Sequence, residues 1–352
     1  MLAYLLDQSG QGSLREMPKP IPTKDNAIIK IERTSICGTD FRFFMTGKTR
    51  VTPPRILGHE CAGTIIHASV LAEEYGLKEG MRVTVAPAAG CGNCWICSTG
   101  HTNMCDRLAT IGYEYEGTFA EYMEIPKHLI QVGNVLPLSP EVDFDDAVLV
   151  EPAACALNAQ AYLDIKKGDV VVIYGSGFIG CVHAELAFLA GASKVIMVEI
   201  AAPRREIALE MVPRIEMIDP LNVNTKEEIM RLTDGRGANV VITALSVPEI
   251  HTEALEVASK MGRISLFGGI PGDGRGYLDS NLIHYKELCV YGAHATPSSM
   301  MKILLERVER GDLDLKKYIS KKLSLSDIEK GFVALRDEHA MKVVLVNNTI
   351  HC

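Results

Sequence analysis

An apolar run, Asp169-Val170-Val171-Val172-Ile173-Tyr174, leads directly into Gly175-Ser176-Gly177-Phe178-Ile179-Gly180. A near-continuous hydrophobic run of this length reads as a strand buried on both faces of a parallel sheet. Three glycines straight after it, with helix-forming residues beyond, call for a tight strand-to-helix turn that leaves the backbone open to close approach. In that context the glycine spacing admits a pyrophosphate at the helix N-terminus; a tight turn without ligand is the plainer alternative. The first two helical residues, Phe178 and Ile179, then belong to the same candidate binding loop as Gly175, Gly177 and Gly180. Glu199 closes the next apolar run, Lys194–Glu199. An acid there accepts the ribose 2′-hydroxyl of a dinucleotide and repels a 2′-phosphate, which favours NAD. Arg204 and Arg205 follow closely. They can cap an adenine or bind a phosphate, and they keep NADP open as the second choice.

The rest of the pattern extends this unit. Helical spacing over 148–163, 178–190, 203–211, 225–233 and 249–260 alternates with apolar runs at 169–174, 194–199, 215–218, 240–244 and 263–267. Alternation of this kind predicts a doubly wound parallel sheet over 151–289. Residues 1–150 are different. Short β-branched runs such as Ala27–Glu32, Gly63–His67 and Arg82–Ala86 are separated by Gly and Pro, which predicts an irregular, mostly β domain. Residues 290–352 carry helical spacing at 298–310 and 325–337 and a last strand at 342–346. They are expected to return to the first domain, giving an α/β chain of two domains.

Ten cysteines are present, and Cys91, Cys94, Cys97 and Cys105 crowd into fifteen residues. Four thiolates meet the tetrahedral preference of zinc and leave no open position, so such a site is structural. Cysteine spacing alone also permits an iron–sulfur cluster. The glycines at 92 and 100 let the lobe, about 90–106, turn its sulfurs inward. The remaining cysteines, Cys37, Cys61, Cys155, Cys181, Cys289 and Cys352, mostly stand in apolar surroundings and read as small buried hydrophobes.

A second donor set lies in the β-rich region. Cys37-Gly38-Thr39-Asp40 and Gly58-His59-Glu60 supply a thiolate and an imidazole, both good zinc ligands. Glu151 is an acid among apolar neighbours; it is the candidate third ligand, or else a salt-bridged or exposed boundary residue. Three protein donors and an open position define a catalytic zinc, which lowers the pKa of a bound alcohol. Glu60 can bind the metal, alternate with water or orient another ligand. Thr39 can take the alcohol proton. Asp40 is either a partner that orients His59 or an ordinary turn aspartate.

Charge and composition narrow the partners. A net charge of −8 without any basic run argues against nucleic acid and acidic membrane surfaces. The opening MLAYLL is too short for a signal-peptide core or a membrane span. Without a secretory signal, clustered cysteines favour metal over disulfides, and a cytoplasmic chain is expected.

Together these motifs resemble the zinc-containing medium-chain dehydrogenase/reductase family, and the resemblance runs over nearly the whole chain. It implies a GroES-like catalytic domain, a Rossmann domain from about 150 to 290, a cleft between them, and homodimers or homotetramers. Glu151-Pro152 resembles the sorbitol and threonine dehydrogenase branch, in which a glutamate replaces a third-ligand cysteine. Two departures stand out. Arg42 occupies the position of a proton-relay histidine, and a guanidinium stays protonated, so the proton route is expected through Thr39, cofactor ribose and water. The segment Gly292–Thr296 lacks the Arg-Tyr pair of sorbitol dehydrogenases, which speaks against sorbitol itself and against threonine. Phe43, Phe44, Phe119 and His294 are candidates for the substrate pocket, or for core packing. The expected reaction is NAD-linked oxidation of a secondary alcohol in a polyol, cyclitol or sugar acid; threonine, butanediol or a simple alcohol is the alternative. A non-enzymatic dinucleotide-binding protein and a zinc-free quinone reductase are the competing readings on the same fold.

Overall fold

The computed structural model describes residues 1–47, 49–270 and 274–347. The chain divides into two compact units, residues 1–154 with the return segment from 295 onward, and residues 155–294.

The first unit is built on a mixed sheet. Its strands run in the order Val135–Pro137, Arg82–Val85, Glu60–Ala68, Ala27–Ser35, Lys342–Val346 and Ile319–Ser324, with Tyr122–Ile125 also paired to Ala27–Ser35. Alternation along Ala27–Ser35 buries Ile29 and Ile31 completely, and Ile65, Val83, Met123 and Ile125 close over them. At the end of that strand, register decides the neighbours: Ser35 pairs with Glu60 on one side and with Val344 on the other. Several short helices were not expected from the pattern, Val70–Glu74, Lys127–Gln131 and Phe144–Ala147 among them, and one more lies beside the site. Gly38–Thr46 is helical, begun by the Cys37 N–H donating to Asp40 Oδ2 at 3.1 Å and closed by Gly47 at φ 65°. The capping carboxylate and the burial of Phe43 in the core override an opening glycine and three aromatics.

The second unit is the expected doubly wound sheet. Six strands, all parallel, stand in the order Glu216–Ile218, Lys194–Val198, Val170–Tyr174, Ala238–Thr243, Ala258–Leu266 and Cys289–Gly292. Order reverses at Val170–Tyr174, and such a switch point is where open α/β sheets bind ligands. The helix expected over 249–260 is Pro248–Val257, and its successor strand begins at once. Leu255, Val257 and Ala258 are buried while Lys260 and Met261 are exposed. Met261 sits at φ 59° within that strand, whose register with Ala238–Thr243 shifts between its pairings at Ala258 and Arg263. Among the described residues no helix is long and apolar enough to cross a membrane.

Candidate functional site

The four lobe cysteines form one close cluster. Cys91 and Cys97 Sγ lie 3.9 Å apart, and Cys94 and Cys105 Sγ 3.8 Å apart. A tetrahedron of zinc–sulfur bonds of about 2.3 Å has edges of about 3.8 Å, so the sulfurs fit a zinc ion without rearrangement. Backbone N–H groups of Cys91 and Arg107 donate to Cys105 Sγ, each at 3.3 Å. The Arg107 guanidinium donates to Cys91 Sγ at 3.1 Å. Hydrogen bonds, the Asn93 backbone N–H foremost, bring the Cys91 thiol down to about 6, whereas burial pushes Cys97 up to about 12.

The second cluster comprises Cys37, His59 and Glu60, whose ligand atoms lie within 4.8 Å of one another. Two pieces of chain deliver them: the cap of the helix Gly38–Thr46 brings Cys37, and the entry to the strand Glu60–Ala68 brings His59 and Glu60. Asp40 Oδ1 stands 3.8 Å from His59 Nδ1, an ion-pair rather than a hydrogen-bond distance. Burial, the largest influence on His59, works to lower its pKa, but the charges of Asp40 and Cys37 outweigh it and raise the value well above the ordinary one. Burial raises the Asp40 pKa. Thr39 is exposed, with Oγ1 3.8 Å from Cys37 Sγ.

Glu60 is fully buried and paired. Its Oε2 meets Lys342 Nζ at 2.5 Å and accepts from Ser35 Oγ, while Oε1 has no hydrogen-bond partner among the described residues. Burial works against the Lys342 ammonium, yet Glu60 and Cys37 hold its pKa above the ordinary value. A buried carboxylate oxygen without a donor, beside a thiolate and an imidazole, fits a metal ion. Glu151 is buried in the helix Val150–Ala161, and its charge acts on both His59 and Lys342. Its carboxylate is not part of the close three-residue cluster.

Several expectations are revised. Phe43 and Phe119 belong to the core, and Phe44 stacks on Phe332 with centroids 4.5 Å apart. Core packing, the alternative left open for these aromatics, describes Phe43 and Phe119, and Phe44 is half-buried against the same cluster. His294 is exposed, in the second unit. Cys289 is exposed rather than buried, because its strand is the sheet's edge; Cys61 and Cys181 are buried, Cys37 and Cys155 half-buried, and Cys352 lies outside the described residues. Two residues near the cluster were not singled out from sequence. Lys342 carried a signal, a lone cation in the apolar strand KVVLV. Tyr113 did not; its hydroxyl, pushed up by burial, feels the charges of His59, Asp40, Cys37 and Arg50.

In the second unit the glycine loop takes the form the spacing requires. Gly175 has φ 96°, and a Cβ at Gly180 would strike the Gly175 carbonyl oxygen. A Cβ at Gly177 would project into open space, where a phosphate needs the backbone bare. Phe178 and Ile179 open the helix Phe178–Leu189 behind this cradle. Glu199 accepts from the Ser176 N–H and the Ala201 N–H, each at 2.9 Å, and so ties the loop to the end of the neighbouring strand. Arg205 is held by Asp219 Oδ2 at 2.6 Å and by the carbonyls of Glu199 and Ile200. Arg204 is half-buried in the first turn of the next helix.

Comparison with known proteins gives matches along most of the chain. Residues 23–134 match the alcohol dehydrogenase GroES-like domain, and residues 179–310 the zinc-binding dehydrogenase domain. L-threonine 3-dehydrogenase of Pyrococcus horikoshii is 31% identical, covering 98% of this chain and 98% of its own. Sorbitol dehydrogenase of Halalkalibacterium halodurans is 28% identical, covering 98% of this chain and 99% of its own. A Sinorhizobium meliloti protein described as a zinc-binding dehydrogenase, solved bound to NADP, superposes with a TM-score of 0.88 at 28% identity over 98% of each chain.

Proposed function

This chain belongs to the zinc-binding medium-chain alcohol dehydrogenase family, in the branch of the threonine and sorbitol dehydrogenases, and on that premise we propose that it oxidises a secondary alcohol of a polyol, cyclitol or sugar acid with NAD. The observation that carries the reading is the convergence of ligand atoms of Cys37, His59 and Glu60 within 4.8 Å of one another, with Glu60 Oε1 buried and without a hydrogen-bond partner among the described residues. When bound, zinc supplies Lewis acidity to an alcohol oxygen and the nicotinamide supplies the acceptor for hydride.

The residues of the chain take complementary parts. Cys37 and His59 hold the catalytic zinc, Glu151 serves as the third donor, and Glu60 stands by at the same centre. Asp40 keeps the His59 ring turned toward the metal. Thr39, exposed beside Cys37, would take up the alcohol proton at Oγ1. Arg42, with a guanidinium where a relay would need an imidazole, is given no part in the relay. Cys91, Cys94, Cys97 and Cys105 hold the structural zinc and leave no room for substrate. Gly175, Gly177, Phe178, Ile179 and Gly180 cradle the pyrophosphate, and Glu199 accepts the ribose hydroxyls. Arg205 is committed to Asp219, so of the two neighbouring arginines Arg204 is left for the adenine end; that supports NAD over NADP. A cytosolic homodimer or homotetramer is part of the same proposal.

Threonine is the second reading, favoured by the relatives at 31% identity. Polyols and threonine share a polar group on the carbon next to the reacting carbinol. The test is NAD reduction by zinc-loaded protein over polyols, cyclitols, sugar acids, threonine, diols and simple alcohols, repeated with NADP and after chelation. Chelator-sensitive turnover of one class with a neighbouring polar group is expected. Turnover confined to simple alcohols, or unaffected by loss of zinc, overturns the proposal.

A further inference from the structure

Lys342 is only 4% exposed, and Glu60 is fully buried. Charged side chains are rarely buried this deeply, and a buried ion pair is a weak stabiliser compared with apolar residues of the same volume. Stability alone therefore gives little reason for this pair. Its surroundings give a better one. The pairing of Ser35 with both Glu60 and Val344 brings the last strand alongside the metal-site strands. One step on, Ile36 N–H donates to Val343 O at 3.0 Å. Lys342 Nζ then donates to Glu60 Oε2 at 2.5 Å, and to Ser35 Oγ and Ile36 O at 3.3 Å each. Lys342 and Ser35 both donate to the same oxygen of Glu60, Oε2. Oε1 has no donor among the described residues, although it is buried.

The asymmetry has an electrostatic consequence. Cys37 and Glu151 carry two negative charges that a zinc ion balances. Glu60 adds a third, which Lys342 balances at Oε2. With Lys342 in place, the carboxylate has a partner other than the metal. Without it, a fully buried anion is left whose nearest available cation is the zinc.

We propose that Lys342 is a positioning residue that holds Glu60 off the catalytic metal and so keeps the fourth coordination position open for substrate. The inference rests on the metal-ligand reading of Cys37 and His59. Release of Glu60 from Lys342 converts an open site into a closed one, with the same four-donor character as the cysteine lobe.

The test uses holoenzyme in which cobalt(II) replaces zinc, because its visible absorption reports ligand type and coordination number. The lobe contributes equally to every variant and cancels in difference spectra. Lys342→Met is expected to change the catalytic-site bands, and Lys342→Arg to retain those of the wild type. The double variant Lys342→Met with Glu60→Gln is expected to return to the wild-type bands, because the neutral amide no longer competes for the metal. Chelator-driven release of the catalytic ion is expected to slow roughly tenfold in Lys342→Met, the scale on which partners of metal ligands act. Unchanged bands in Lys342→Met, or altered bands that persist in the double variant, overturn the proposal. Failure of the wild type to take up a second metal overturns the ligand reading itself, a distinct result. A crystal structure of the zinc-loaded wild type is independent of any variant's folding. Glu60 paired with Lys342 and outside bonding distance of zinc is expected, and Glu60 bonded to zinc while still paired overturns the proposal.

Discussion

The two units bury polar groups in opposite ways. The first buries charge against charge: Lys342 with Glu60, Asp40 beside His59, and thiols gathered in fours. The second meets its most deeply buried polar groups with backbone or keeps them neutral, and its ion pairs Arg205–Asp219 and Arg263–Asp169 are only half-buried. Glu199 is satisfied by two main-chain amides, and the buried His183 takes a hydrogen bond from Gln160 Nε2 at 3.1 Å, with burial pushing its pKa down to about 3. The contrast follows from what each unit is prepared to hold. Concentrated negative charge with a nearby countercharge suits a metal cation, whereas bare backbone at a helix N-terminus suits a phosphate.

The contrast can be broken most severely at Cys37. Cys37→Ser is expected to lower kcat/KM by roughly a thousandfold or more, on several kcal/mol of lost metal stabilisation. Zinc content should fall from about two to about one per chain, while NAD binding measured by calorimetry stays unchanged. Equal loss of NAD affinity would mean that the two units are not separable in this way. Cys94→Ala sharpens the difference within the first unit. It should release the lobe zinc and destabilise the fold by several kcal/mol, at about 2–4 °C of Tm for each, with kcat of the surviving folded enzyme near that of the wild type. Retention of both zinc ions, or collapse of kcat without loss of Tm, would contradict a purely structural lobe.

In the second unit, Glu199→Ala should lower kcat/KM with NAD by about tenfold to a hundredfold, the worth of hydrogen bonds to a charged acceptor, and should narrow the gap to NADP. An unchanged NAD-to-NADP ratio would count against Glu199 as the ribose acceptor. The smallest expected effect is in pH. His183 stays neutral in the fold, whereas the unfolded chain takes up a proton below the ordinary value of 6.5. Its contribution to stability is complete above that value and is lost as pH falls toward about 3, at about 1.4 kcal/mol per pH unit. Urea titrations at pH 7 and pH 5 should therefore differ by about 2 kcal/mol through this one group. His183→Gln, which keeps an acceptor for Gln160, should remove that difference. An equal pH dependence in both proteins would show that His183 is not the group responsible.

The two most readable features were those whose geometry is local. The four lobe cysteines lie within one tight loop, and Gly175–Gly180 lies within one turn, so spacing alone dictates how their atoms can meet. The Cys37 and His59 pair was readable as a donor set, because both residues flank the central strands that Ser35 and Glu60 join. Less local features were misread or missed. Phe43 and Phe119 carry the same signal whether they line a pocket or a core, and only the neighbours supplied by the return segment, such as Phe332, place them in the core. Cys289 looks like a buried thiol until its strand proves to be an edge. The helix Gly38–Thr46 depends on one capping contact from Asp40.

From residue order alone come the strand, glycine turn and helix over 170–189, the clustered cysteine lobe, and the chemical types of the proposed metal donors. Each is set by covalent spacing and by side-chain chemistry, which no later folding step alters. Lys342 shows the other kind of information. It meets Ser35 across 307 positions of chain, and nothing in its own neighbourhood says which anion it will face. That choice was made by sheet register, which brings the last strand beside the strand that leads to Cys37, and with it the buried charge that faces Glu60.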